Sequence, residues 1–486
     1  MEATVSNFWR LGTARRAAFF LIVALACLRL CHIHLLWADE DYHLAAAIHI
    51  LHGKVPYRDF WYDKPPLNAV YYLLIGGFPG WPLRLLDSGY ILLACYLAYR
   101  LARAWWGEAE GWTAALLLAF FTAFYLPSAV IPFAADALMV VPHLAAIYCA
   151  RRKLPLWAGL YAGIAFLVNP KALFVLGTCA VWLLPSLPVL FAGFALPALA
   201  GFGWGIASGA WAGYCEQVWK WGVIYVKGSP VTNPFDNALV RTSDWIGFHA
   251  ALAAGAVFAF LRITRDDRSK LVVWLALSFI SVCLGTRFAP HYFLQLLPPM
   301  VIVASRGIVL AFRQSSRPAA VVLVLLLAVP LVRFGPRYAS LALDNLLNRT
   351  PRWSDVVMDL DSRQAARKIR SLARPGDTLF VWGYRPDLYV YTRMTSPGRF
   401  WDSQPLTGVP ADRHLHATNA IYSGPAVQNR LELIRSHPKF FVDGLSPLNP
   451  KLAPDVYPEL RAWLEQYELV DRTSLSLIYR ERNDPR

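Results

Sequence analysis

The chain has 486 residues, 56% of them hydrophobic and only 16% charged, with a mean hydropathy of +0.38. That composition excludes an ordinary soluble domain of this length and describes a membrane protein. The formal net charge of +15 does not argue for nucleic acid, because the basic residues form short clusters between apolar runs, the pattern of membrane topology. The seven cysteines lie mostly within apolar runs and show no CxxC spacing, so they read as small buried hydrophobes.

The first apolar run, 17–36, has the character of a signal-peptide core, but it is long and no A-x-A-like site follows it. It reads as a retained first span. Further runs at 84–104, 112–126, 132–149, 155–168, 172–184, 188–208, 245–262, 271–285, 291–311 and 319–334 bring the expected number of spans to about eleven. Residues 155–184 count as two, since one helix of thirty residues would reach roughly 45 Å against a hydrocarbon core of about 30 Å, and Asn169-Pro170 interrupts the run. With Arg10, Arg15 and Arg16 in the cytoplasm, the basic clusters at 100–103, 151–153, 262–270 and 306–317 fall on the same side. The expected setting is the inner (cytoplasmic) membrane. The first loop (37–83), turns near 127–131, 169–171 and 286–290, the 209–244 loop and everything after about 335 then lie outside.

Within the first loop, PLNAVYYLLIGGF (66–78) is too short to span comfortably and reads as an interfacial or re-entrant helix. The tail from 335 to 486 changes character and divides the chain into a membrane module, 1–334, and a small extracytoplasmic α/β domain, 335–486. There 354–373 and 426–437 have helical periodicity, TLFVWG and LYVYT read as strands, and KFFVDG follows the second helical stretch. The expected fold is thus a polytopic α-helical membrane protein with a small C-terminal α/β domain.

Several polar residues share the outer face on this topology: Asp39, Glu40, Asp63 and Lys64 in the first loop, Asp136 in PFAADAL, Lys171 after Pro170, and Arg287 and His291 in RFAPHYF. Each has a structural alternative. Asp39 or Glu40 precedes an apolar-periodic run and can cap a helix. Asp63 and Lys64 can be solvated charges, although Pro65-Pro66 stiffens the backbone beside them. Lys171 can snorkel and Arg287 can meet lipid headgroups. Asp136 is harder to set aside, because an acid inside an apolar segment marks a cavity or a pairing partner.

One chemistry uses both signs. Sugar transfer from a lipid phosphate to a hydroxyl needs a carboxylate to take the hydroxyl proton and cations to stabilise the leaving phosphate. Asp39 suits the first task and Lys64, Lys171, Arg287 and His291 the second. Asp39 and Asp63 would also suit an oxygen-liganded divalent cation, although acid pairs specify metals weakly. A secondary transporter is the main rival class, but such folds place polar sites at the midplane of repeated halves. A non-catalytic glycolipid-binding protein on the same scaffold is the other.

The stretch ADEDYHLAAAIHILHGKVPYRDFWYDKPPL (38–67) resembles the GT-C superfamily of integral-membrane glycosyltransferases, in particular the bacterial protein O-mannosyltransferase and aminoarabinose transferase branch (family 39-like). The matching features are Asp39-Glu40, Tyr42, Gly53-x-x-Pro56-Tyr57 and Asp63-Lys64-Pro65-Pro66-Leu67, with weaker similarity through FAADALMV, GIAFLVNPKALFVL and RFAPHYFLQLLPP. The resemblance implies a GT-C bundle with an external cavity, a polyprenyl-phosphate-linked sugar donor, and an acceptor that is a protein, a lipid or a glycan. It implies Asp39 as catalytic base or metal-supported acceptor ligand, with Glu40, Asp63 and Lys64 lining the site, Arg287 and His291 where relatives hold the lipid phosphate, and Tyr292 among the substrate-binding residues. Asp63 stands where some relatives carry Glu, and VNPKAL replaces a more usual Thr-Lys-Gly around Lys171.

Overall fold

Each of the eleven apolar runs folds as helix in the structure of the protein, a computed structural model that describes residues 2–126, 132–227, 231–314, 317–349, 353–410 and 413–482. The turn expected at 127–131 lies outside the described residues. Trp81–Trp106, Leu184–Ala207 and Val321–Leu347 are individually long and apolar enough to cross a membrane, and Pro234–Phe248 with Ala250–Phe260 forms a fourth crossing if that bent pair is one span. By length and composition the described residues therefore carry three or four such spans where hydropathy leads to about eleven. The break expected at Asn169-Pro170 is present, separating the short helices Pro155–Phe166 and Ala172–Trp182.

The chain divides into two compact units. The first comprises Met1–Ile33, Trp81–Ala200 and Val231–Thr350. Its helices Ala250–Phe260 and Leu297–Gln314 meet through glycine: a Cβ on Gly307 would stand 1.7 Å from the Gly255 carbonyl oxygen. Small residues of this kind let helix backbones approach where no water is squeezed out to drive association. Val321, Val324, Leu325, Leu331 and Val332 remain exposed on the long helix Arg317–Leu347, as expected of a surface that meets lipid. This helix carries Pro330 and Pro336 within it. The domain boundary expected at 334 therefore falls inside a continuous helix, because Gly335-Pro336 resembles a helix stop in sequence but is accommodated here.

The second unit joins His34–Gly80 and Gly201–Pro230 to Pro351–Arg486, so the first loop packs with the tail. Its sheet has four strands, β1 (Leu379–Trp382), β2 (Phe440–Asp443), β3 (Tyr467–Arg472) and β4 (Leu477–Glu481), in the order β1-β2-β4-β3. β1 pairs with β2 in parallel, Leu379 opposite Phe440, and the other pairings are antiparallel. All residues of β1 and β2 are buried; β1 reads as a continuous apolar run and β2 as one that ends in Asp443. The 354–373 and 426–437 helices form, as Ser354–Leu372 and Pro425–Ser436. LYVYT, expected as a strand, belongs instead to the helix Asp387–Thr392. Leu388, Tyr389 and Val390 are consecutive and all buried, with the Tyr389 ring 5.3 Å from His49 and 5.7 Å from Trp401. Burial on every side overrides the strand preference of Tyr and Val.

In the first loop, 66–78 folds as the helix Leu67–Leu73, and the Gly76 and Gly77 that follow take positive φ. Arg393 of the tail donates to both glycine carbonyls, at 3.0 and 3.1 Å.

Candidate active site

The helix Glu40–Leu51 begins at Asp39, which occupies the N-cap position but makes no side-chain capping bond and has φ 76°. A non-glycine residue on that side of the Ramachandran map costs on the order of 1–3 kcal/mol and needs surroundings that enforce it. The capping role considered from sequence is therefore not the one Asp39 performs. Glu40 and Asp41 behind it are buried. One Asp41 carboxylate oxygen has no hydrogen-bond partner, and burial, then the carboxylates of Asp387 and Asp39, hold its carboxyl well above the usual range.

Lys64 Nζ lies 3.2 Å from an Asp63 oxygen. Desolvation pulls the ammonium down, but Asp63 and then Asp39 outweigh it and hold Lys64 above its ordinary value. Asp39, Asp63 and Lys64 thus share one electrostatic environment, as the sequence leads one to expect. Backbone contacts fix its geometry. Tyr57, itself at φ 69°, donates from its hydroxyl to the Lys64 carbonyl at 2.7 Å, and the Asp63 amide donates to the Tyr42 hydroxyl at 3.3 Å.

Gln217, fully buried on a π-helical turn (Cys215–Lys220), clamps the same loop from both sides. It accepts from the Tyr62 amide at 2.7 Å and donates to the Tyr57 carbonyl at 2.8 Å. Nearby, a Cβ on Gly213 would come within 2.1 Å of the Tyr57 carbonyl oxygen, so only glycine fits there. The tail closes the arrangement: the Trp61 amide donates to the Arg399 carbonyl at 2.7 Å and the Trp401 indole to the Trp61 carbonyl at 2.6 Å.

Asp402, next to Trp401, was not among the residues expected from sequence. It is buried, accepts from the Gln404 amide at 2.8 Å through one oxygen and leaves the other without a partner. Burial pushes its carboxyl up to about 7, with Asp63 adding to it, against the opposing hydrogen bond from the Gln404 amide and a smaller pull from Lys64. His43, hydrogen-bonded to the Tyr62 hydroxyl at 2.7 Å, is pushed down to about 3 by burial and then by Lys64, and is neutral. Asp402 and Gln217 carry no local signal: they stand far along the chain from the loop they serve, in stretches that match no motif.

The first unit holds the other candidates. Asp136, on the short helix Ala135–Leu138, accepts through Oδ1 from Asn169 (3.1 Å), Lys171 (3.1 Å) and Gln295 (3.2 Å). Its Oδ2 lies 3.8 Å from His291 Nε2. Lys171 also sits 3.3 Å from the centre of the Tyr292 ring, a cation–π contact. Asp136, Lys171, His291 and Tyr292 are thus brought together, with Asn169 and Gln295 added. Arg287 is half-buried on the turn before the Pro290–Gln295 helix, and its carbonyl accepts from Asn237 at 3.0 Å. A divalent cation at Asp39 and Asp63 would need further protein ligands, and among the described residues no three His, Cys, Asp or Glu side chains gather to hold one.

No protein-family model matches the chain, and no curated protein sequence matches it. Solved structures do. ArnT from Cupriavidus metallidurans in the apo state is similar over 96% of this chain and 98% of that one, at 14% identity and a TM-score of 0.60. The oligosaccharyltransferase of Archaeoglobus fulgidus in its apo form is similar over 95% of this chain and 73% of that one, at 13% identity and a TM-score of 0.51. At such identities the likeness speaks for the fold, and the chain has the fold of the GT-C membrane glycosyltransferases.

Proposed function

We propose that the protein is a membrane glycosyltransferase that moves a sugar from a polyprenyl-phosphate-linked donor to an acceptor hydroxyl, with inversion, at the outer face of the cytoplasmic membrane. The observation that carries this reading is Asp39, a half-exposed carboxylate on a strained backbone, without a side-chain capping bond, whose charge acts together with that of Asp63 on Lys64.

Asp39 takes the proton from the acceptor hydroxyl as its oxygen bonds to the anomeric carbon. The bond from that carbon to the phosphate oxygen breaks, and its electron pair leaves on the phosphate. Lys64 is assigned to the charge that develops there. Glu40 and Asp63 complete the catalytic surroundings, Asp63 by positioning Lys64. Attack from the face opposite the phosphate inverts the anomeric centre. In this reading the GT-C fold and the apolar helices supply the membrane setting that a polyprenyl lipid requires.

Mass spectrometry of envelope glycans and glycoproteins from cells with and without the gene tests the reading: one sugar residue should disappear with the gene and return on complementation. Complementation by Asp39→Asn at wild-type efficiency would remove Asp39 from the mechanism. Reconstituted protein that accumulates a solute in vesicles but turns over no lipid-linked sugar would move it to the transporters.

A further inference from the structure

The helix Pro234–Phe248 ends at His249, and Ala250–Phe260 departs at 86°. Asn237, Arg241, Asp244, Trp245 and Phe248 follow helical spacing and share one face of the first helix, while Phe235, Leu239 and Ile246 lie on another and are exposed. Asn237 pins the first face down, donating from Nδ2 to the Thr286 and Arg287 carbonyls, both at 3.0 Å. At this bend is a cavity of about 210 Å³ lined by Arg241, Asp244 and Arg333 together with Trp245, Phe288 and Phe293. We propose that this cavity binds the phosphate headgroup of a membrane lipid, as a site separate from the Asp136–Lys171 cluster.

Three features carry the assignment. Arg241, Asp244 and Arg333 are exposed and form no ion pair with one another or with other described residues; Arg333 lies over the Phe248 and Phe334 rings, at 5.9 and 5.3 Å, so the cavity is lined by two guanidiniums and one carboxylate with no salt bridge among them. A guanidinium fork matches phosphate geometry, and two forks against one carboxylate leave a net positive charge for an anion. The cavity is also smaller than the roughly 300–1,000 Å³ of pockets that enclose whole organic ligands; it suits a headgroup rather than a sugar with its carrier. A helix with exposed Phe, Leu and Ile on one face and charge on another lies in the interfacial plane, which is the depth of lipid phosphates.

A consequence follows for the neighbouring cluster. Phe288 and Phe293 line the cavity, whereas His291 and Tyr292 of the same short segment meet Asp136 and Lys171. A headgroup in the cavity therefore rests against the segment that positions those two side chains. Binding does not depend on whether the protein transfers sugars, so the two readings fail separately.

The test uses the full chain in a maltoside detergent, titrated with dioctanoyl phosphatidylglycerol and followed by the shift in thermal unfolding midpoint and by native mass spectrometry of the bound lipid. Wild type should bind, and the double variant Arg241→Gln, Arg333→Gln should bind at least tenfold more weakly. Should the double variant fail to fold, Arg241→Gln alone, at an exposed position, should show the loss in part. Equal binding by folded variants would overturn the site. Equal binding of dioctanoylglycerol, which lacks the phosphate, would overturn the chemistry. Sodium phosphate binding as tightly as the lipid would overturn the membrane source.

Discussion

The carboxylates of the two units stand in opposite conditions. Asp136 is surrounded by donors: Asn169, Lys171 and Gln295 on one oxygen and His291 near the other. In the loop-and-tail unit, Asp39 makes no capping bond, and Asp41 and Asp402 each keep one oxygen without a partner. A satisfied buried acid fixes the positions of its partners. An unsatisfied one is costly to the fold and persists where a ligand or a proton completes it. The contrast separates a unit that holds cations in place from one that holds proton-accepting groups ready.

The sharpest way to break this contrast is Asp39→Asn. Asparagine tolerates positive φ as aspartate does, so the backbone should persist while the charge is lost. If Asp39 is the base, turnover of a polyprenyl-phosphate sugar should fall by about 10²–10⁴-fold, with stability within about 0.5 kcal/mol of wild type. A large drop in unfolding midpoint with activity per folded molecule preserved would make Asp39 a structural residue after all.

On the satisfied side the sign reverses. Lys171→Met leaves Asp136 without its cation in a site where both side chains are nearly buried, and losing one partner of such a pair costs about 3–5 kcal/mol. Asp136→Asn should cost less than removing the lysine, since Asn169 and Gln295 can still be met by the amide oxygen. Denaturant unfolding of the two variants side by side checks the order; equal and small effects would mean that the cluster is not the fixed element described here.

The parts of this picture legible in sequence are those with local signatures. Apolar runs locate the helices, and β1 is visible because burial on both faces leaves no polar residue in it. Asp39, Asp63 and Lys64 are legible because they sit in one motif-bearing loop. β3 escapes because only one of its six residues is buried, and LYVYT misleads because its aromatic and β-branched residues serve a buried helix. Asp402 and Gln217 escape for a different reason: their roles come from contacts across 155 to 340 residues of chain, such as Tyr62 with Gln217 and Trp61 with Trp401, which no local pattern records.

Gln217→Ala probes how far the first-loop acids depend on that distant support. It removes two buried hydrogen bonds and leaves the Tyr57 carbonyl and Tyr62 amide unmet, a loss of about 1–3 kcal/mol. Because the 57–62 segment leads into Asp63 and Lys64, activity should fall by more than the fraction unfolded accounts for. An activity loss that merely tracks unfolding would detach Gln217 from the site.

The smallest expected effect reads the state of Asp402. Its carboxyl is pushed up to about 7 in the folded protein, whereas an unfolded chain returns it to the ordinary carboxylate range near 3.9. Below that range both states are protonated, and the fold keeps the full benefit. As pH rises the unfolded chain releases its proton first while the folded protein retains it, so stability falls until the folded carboxyl also ionises. Between pH 6 and 8 this one group should remove about 1.4 kcal/mol. Asp402→Asn, which mimics the neutral acid, should remove that increment from the pH dependence and make the variant relatively more stable at pH 8 than at pH 6. If the two proteins lose stability in parallel over this interval, Asp402 is already ionised at pH 6, and the unspent oxygen in the tail belongs to a fixed charge rather than to a held proton.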